Sequence, residues 1–268
     1  MNKQISKMAV VEEFKRFLKW ESQSFDNWET VDIFIADTLS EAWILARPYE
    51  AHKFLDENFK RMVDNANGKW LEKTNSTDAY KVILSTKHCD SIQSLTKIFV
   101  HEMRHCLDYQ NAVKHLHFED YHPGNHYYNN WSEFRAVYSQ TRYEFFSKYM
   151  DNMSNEEIFD ILAEILGKNS ADAVTGLIRS SDNLEDTLYY ISRYIGGSRA
   201  IRNINILESI NAEVFHLWTM TPQYVVETFG NIFYIGNEWD ETEVCELEAT
   251  PKTYYYSDLV QRLTAAQE

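Results

Sequence analysis

The stretch that most constrains the fold is residues 91–117, which has the clearest pattern of a long helix in the chain. Apolar residues recur there at three- and four-residue spacing, as one buried face of a helix requires. At 100° per residue the predicted buried stripe consists of Leu95, Ile98, Phe99, Cys106, Tyr109 and Val113. We therefore expect a long helix over residues 91–117 with this stripe buried.

The rest of the chain predicts an α+β fold that is mainly helical. Glycine (8) and proline (4) are scarce in 268 residues, so long helices are seldom interrupted. Residues 30–39 and 79–86 are typical of two short strands, and 65–78 is typical of a loop. We expect a first domain over residues 1–152 and an all-helical region over 153–268 that packs on it, or one continuous domain.

The charge balance narrows the class of partner. The formal net charge is −15, from 26 basic and 41 acidic residues, whereas nucleic-acid binding needs a basic face. The densest basic group, Arg193, Arg199 and Arg202, is typical of a solvated helix face. We expect no nucleic-acid partner.

Other sequence-wide features favour a cytoplasmic protein. No apolar run reaches the ~18–20 residues of a membrane span, and residues 1–20 lack the apolar core of a signal peptide. The three scattered cysteines indicate reduced thiols rather than a disulfide framework. We expect a cytoplasmic chain with no membrane partner.

The predicted long helix contains HEMRH at residues 101–105. Residues four apart lie on one helix face, so His101 and His105 can share a metal ion, and Glu102 between them can act as a catalytic base. Zinc is the metal expected for two such imidazoles. The alternative is that three polar residues share a helix without binding a metal.

A catalytic zinc ion usually has three protein ligands and one water. The next predicted helix begins NNWSEFRAVYSQ, and it places Glu133 28 residues after His105. Ala136, on the same flank, would allow close approach of a neighbouring helix, which favours Glu133 as the third ligand. Alternatively, Asn130 and Glu133 form a capping box at the start of their own helix.

HEMRH followed by a helix carrying SEFRA resembles the gluzincin type of zinc metallopeptidase. In particular, residues 79–150 resemble the small prokaryotic and phage-borne metallopeptidases of the ImmA/IrrE type. The resemblance implies a minimal zincin-like fold, with 79–86 as an edge strand that aligns an extended substrate. It also implies one Zn²⁺ held by His101, His105 and Glu133, with Glu102 moving a proton from the metal-bound water to the leaving amine.

Further candidates surround these four residues. Asp108 falls on the histidine flank and can orient a ligating imidazole, or it can pair with Arg104 one turn earlier. His126 and Tyr127, in the segment YHPGNHYYNN, are the candidates for stabilising a developing oxyanion.

Two functions are compatible with these observations. The first is a zinc-dependent peptidase, a hydrolase that cleaves peptide bonds of a protein or peptide substrate. The second is a non-enzymatic acidic interaction or inhibitor protein whose metal site is structural or vestigial, as the charge of −15 would also allow.

Overall fold

The computed structural model describes residues 5–115, 126–179, 184–202 and 204, and these are mainly helical with one small sheet. This confirms the predicted α+β, mainly helical class. The helices are α1 (Lys7–Trp20), α2 (Leu39–Ala46), α3 (Glu57–Asp64), α4 (Ile92–His115), α5 (His126–Lys148), α6 (Asn155–Arg179) and α7 (Leu184–Arg202). The strands are β1 (Asp32–Ala36), β2 (Gly68–Leu71) and β3 (Lys81–Ser85), and 3₁₀ segments cover Trp28–Thr30 and Pro48–Leu55.

Contacts between Cα atoms divide the chain into two compact units, one up to Asp108 and one from Tyr109 onward. The division falls inside α4. The domain boundary that the sequence predicts at residue 152 is still a prediction.

The first unit contains the sheet, whose strand order is β1-β3-β2. β3 pairs parallel with β1 and antiparallel with β2, and all five of its residues are buried. The prediction that residues 79–86 form an edge strand is therefore wrong, since β3 has a partner on both sides. The prediction of a loop over 65–78 is also wrong at Gly68–Leu71, because β2 lies there and forms an edge of the sheet.

Two apolar groups stabilise the first unit. One joins α2, α3, β2 and β3, and its buried members are Leu39, Ala42, Ala46, Phe54, Val63, Leu71 and Ile83. The other places the Phe14 ring of α1 edge-on against three aromatic rings, with centroids 5.3 Å from Phe25, 5.3 Å from Trp28 and 5.0 Å from Phe99. Phe99 belongs to α4, so this second group anchors the helix that carries HEMRH.

The second unit consists, in its described part, of helices. α7 packs against both α5 and α6. α6 starts at a capping box, in which Glu157 N–H donates to Ser154 Oγ (3.2 Å) and Ser154 N–H donates to Glu157 Oε2 (2.8 Å). Gly196 and Gly197 lie inside α7. The elements predicted beyond residue 204 lie outside the described residues.

Among the helices of the described ranges, none contains a stretch long and apolar enough to cross a membrane.

Candidate metal centre

His101 and His105 are neighbours on α4, one turn apart. Their Nε2 atoms are 3.1 Å apart, and the ring centroids are separated by 4.7 Å at an interplanar angle of 79°. Two nitrogens bound to a tetrahedral zinc ion at about 2.0–2.1 Å lie about 3.3 Å from each other. The observed separation therefore fits two ligands of one ion, and it also suits a hydrogen bond between the rings in the absence of an ion.

Glu133 completes a group of three possible ligands. One atom each from His101, His105 and Glu133 lies within 4.8 Å of the other two. The Glu133 residue is only 5% exposed, and a carboxylate that is this deeply buried needs a compensating cation. These three donors can hold a metal ion; that the ion is zinc is still a prediction.

The helix bounds decide between the two roles proposed for Glu133. α5 begins at His126, so residue 130 lies inside the helix and is not its N-cap. The explanation of Glu133 as half of a capping box with Asn130 is therefore wrong, and the carboxylate projects from the body of the helix.

In the second unit, Glu133 is paired with Arg193 of α7. Arg193 Nη1 donates to Glu133 Oε1, and also to Tyr189 Oη at 3.3 Å. The Arg193 side chain is 32% exposed, so its expected place on a solvated helix face is wrong. No sequence pattern could have revealed this pair, because its members are 60 residues apart.

The titration of α7 groups follows from these contacts. Burial, together with the negative charge of Glu133, raises the pKa of Tyr189 to about 12, so its phenol remains protonated at neutral pH. Burial lowers the pKa of Arg193, but the charges of Glu133 and Tyr189 and their hydrogen bonds together more than offset this, so the pKa is raised overall. Arg193 therefore remains a cation beside Glu133.

Glu102, the candidate base, is held by the edge strand. Trp70 N–H of β2 donates to Glu102 Oε2 at 3.1 Å. The strand approaches α4 closely at Gly68, where an added Cβ would lie 2.6 Å from Ile98 Cγ2 and 2.8 Å from Glu102 Cγ. The absence of a side chain at Gly68 therefore allows β2 to reach Glu102, a feature that the expectation of a loop had missed.

Asp108 lies close to Arg104, the residue with which it would pair if it does not orient an imidazole. Both Asp108 and Arg104 are buried, and Asp108 Oδ1 is 3.8 Å from Arg104 Nη1. The guanidinium of Arg104 also lies 3.9 Å from the centroid of the Phe25 ring and donates to Ser24 O at 3.1 Å. Arg104 thus has a structural role, and orientation of an imidazole by Asp108 is still a prediction.

The oxyanion candidates lie at the start of α5. His126 and Tyr127 belong to its first turn, and their side chains lie outside the described part of the molecule. Their assignment is therefore still a prediction.

Comparison with known proteins gives no relative: no protein-family model, no curated protein and no solved structure matches this chain.

Proposed function

We propose that this chain is a zinc-dependent peptidase of the gluzincin type, similar to the ImmA/IrrE metallopeptidases. The observation that carries the proposal is the group of His101, His105 and Glu133, with Glu102 on the same helix as the two histidines. Two imidazoles and one carboxylate are a ligand set of catalytic zinc sites, in which water or substrate takes the fourth position.

In this proposal each residue has a distinct task. His101, His105 and Glu133 hold the ion, which when bound lowers the pKa of water and polarises a peptide carbonyl. Glu102 accepts the proton of the attacking water and delivers it to the leaving amine. The hydrogen bond from Trp70 N–H keeps the Glu102 carboxylate at the edge strand, where a substrate would also lie.

The substrate would be a protein or peptide in extended conformation, aligned along β2. Main-chain groups alternate in direction along a strand. The carbonyl of Asn67, just before β2, points toward β3, because it accepts a hydrogen bond from the N–H of Ser85, the last residue of β3. Gly68 and Trp70 therefore direct their main-chain groups away from β3, on the side where Trp70 N–H reaches Glu102. A peptide pairing with this edge would bring its backbone next to the base.

The test compares wild type with Glu102→Gln on a peptide library derived from a whole proteome, with cleavage read by mass spectrometry. Glu102→Gln keeps the shape of the side chain but removes the base, so we expect zinc binding to be retained and cleavage to fall by at least about 10²-fold. Glu12→Gln, an exposed change on α1, is the matched control and should leave cleavage unchanged.

Equal cleavage by wild type and Glu102→Gln would refute the proposed mechanism. Absence of both zinc and cleavage in the wild type would instead favour the acidic interaction or inhibitor protein.

A further inference from the structure

We propose that Arg193 of α7 is the positioning residue of the metal centre, because it holds the Glu133 carboxylate in the orientation that binds the ion. This inference rests on the proposed function, since it requires Glu133 to be a ligand. It assigns a role in the site to α7, which lies outside the segment that resembles a metallopeptidase.

The contact between the two side chains is compatible with metal binding. Arg193 Nη1 donates to one carboxylate oxygen, Oε1. An ionised carboxylate has two oxygens with about four lone-pair sites. Glu133 can therefore accept a hydrogen bond from Arg193 and bind a metal ion at the same time. The planar guanidinium restricts rotation of the carboxylate better than a lysine ammonium would, and its bond to Tyr189 Oη fixes the guanidinium in turn.

The spacing of α5 and α7 is set next to this pair. A Cβ added at Gly196 would lie 3.1 Å from the carbonyl carbon of Phe134, and closer still to its oxygen. Phe134 adjoins Glu133, and Gly196 follows Arg193 by about one helical turn. The close approach of the two backbones therefore brings Arg193 alongside Glu133.

A second close approach fixes α7 on its other neighbour. At Gly176 of α6, an added Cβ would overlap the ring of Tyr190, whose centroid is 5.3 Å from that of Tyr189. The two glycines thus locate the part of α7 that carries Tyr189 and Arg193, and the guanidinium is fixed by packing rather than by one contact.

Removing Arg193 has two opposing effects on zinc affinity. The guanidinium repels a divalent cation, which would make a neutral substitute bind zinc more tightly. It also orients a ligand, and loss of such outer partners commonly costs about 10–100-fold in metal affinity. We expect the second effect, the loss of orientation, to dominate. The Glu133 carboxylate is buried, so water cannot replace Arg193 in holding it in the same orientation.

The experiment measures the zinc dissociation constant of the full chain by competition with a chromophoric chelator, with folding monitored by circular dichroism. We expect Arg193→Met to bind zinc about 10–100-fold more weakly than wild type, and Arg193→Lys to lie between them. In the Glu133→Ala background, Arg193→Met should cause no further loss, because Arg193 acts through Glu133. Arg61→Met, a surface change on α3, is the control and should match wild type.

The outcomes separate this inference from the proposed function. Unchanged or tighter zinc binding by Arg193→Met, with binding weakened by Glu133→Ala, overturns the positioning role and leaves the metal site standing. An equal loss in both backgrounds means that Arg193 only supports the fold, which also overturns it. Absence of zinc binding by the wild type would overturn both the positioning role of Arg193 and the proposed function. Where Arg193→Met does not fold, Arg193→Lys takes its place in the same comparison.

Discussion

Replacement of Gly196 by alanine should force α7 away from α5 at the residue next to Glu133. The added Cβ would lie 3.1 Å from the Phe134 carbonyl carbon and nearer to its oxygen, whereas ordinary carbon–oxygen contacts are about 3.3–3.6 Å. The obstacle is backbone on both sides, so neither partner can avoid it by changing a rotamer.

The magnitude follows from two terms. Overpacking of a well-packed contact costs about 1–3 kcal/mol, while alanine gains about 1 kcal/mol over glycine inside a helix. Gly167 of α6 is the matched control, because an alanine there meets nothing within 4 Å. The gain in helix propensity cancels between the two variants, so Gly196→Ala should be less stable than Gly167→Ala by about 1–3 kcal/mol.

Chemical denaturation of the full chain, followed by circular dichroism, measures this difference. Hydrogen exchange of α5 and α7 peptides adds a local measurement, and exchange should increase in Gly196→Ala and not in Gly167→Ala. Equal stability and equal exchange in the two variants would refute the close approach of α5 and α7 at Phe134.

Three further predictions concern the base, pH and the metal. Gly68→Ala should reduce peptide cleavage and leave zinc affinity unchanged, because the added Cβ displaces Glu102. Both quantities are measured on the same protein sample, and a loss of zinc affinity as well would contradict this prediction. The hydrogen bond from Lys81 holds the pKa of Asp78 well below its ordinary 3.8, so the pair stabilises the fold above that value and its contribution is lost as pH falls below it. Asp78→Asn should therefore make urea midpoints less sensitive to acid than those of wild type, and equal sensitivity would count against the pair. Zinc at 100 times its dissociation constant should stabilise the wild type by about 2.7 kcal/mol, and an equal gain in His105→Ala would exclude that histidine as a ligand.

Elements with a strong apolar period could be predicted from the sequence. In α4 the predicted stripe is buried at Leu95, Phe99, Cys106 and Tyr109, each 3% exposed or less. β1 and β3 were also recognisable, because short runs rich in valine, isoleucine and other strand-favouring residues are typical of strands. The proximity of His101 and His105 follows from the same helical period.

Elements formed by pairing rather than by local preference could not be predicted. β2 is only four residues long and starts at Gly68 in a polar stretch, so its structure depends on pairing with β3. Likewise, the contact of Arg193 with Glu133 depends on how α7 packs on α5, which no local spacing encodes. Sequence patterns therefore predicted His101, His105 and Glu133 as ligands and Glu102 as candidate base. They did not predict the residues that hold Glu102 and Glu133, which are Trp70 and Arg193.

The most direct test of the metal centre is the zinc content of the purified full chain, measured by mass spectrometry. His52→Ala, an exposed histidine in the 3₁₀ segment, and Glu144→Ala, about 16 Å along α5 from Glu133, are the matched controls. We predict about one zinc ion per chain in the wild type and both controls, loss of zinc in His105→Ala and weaker binding in Glu133→Ala. No zinc in the wild type after reconstitution, or equal zinc in His105→Ala, would contradict a metal centre at HEMRH.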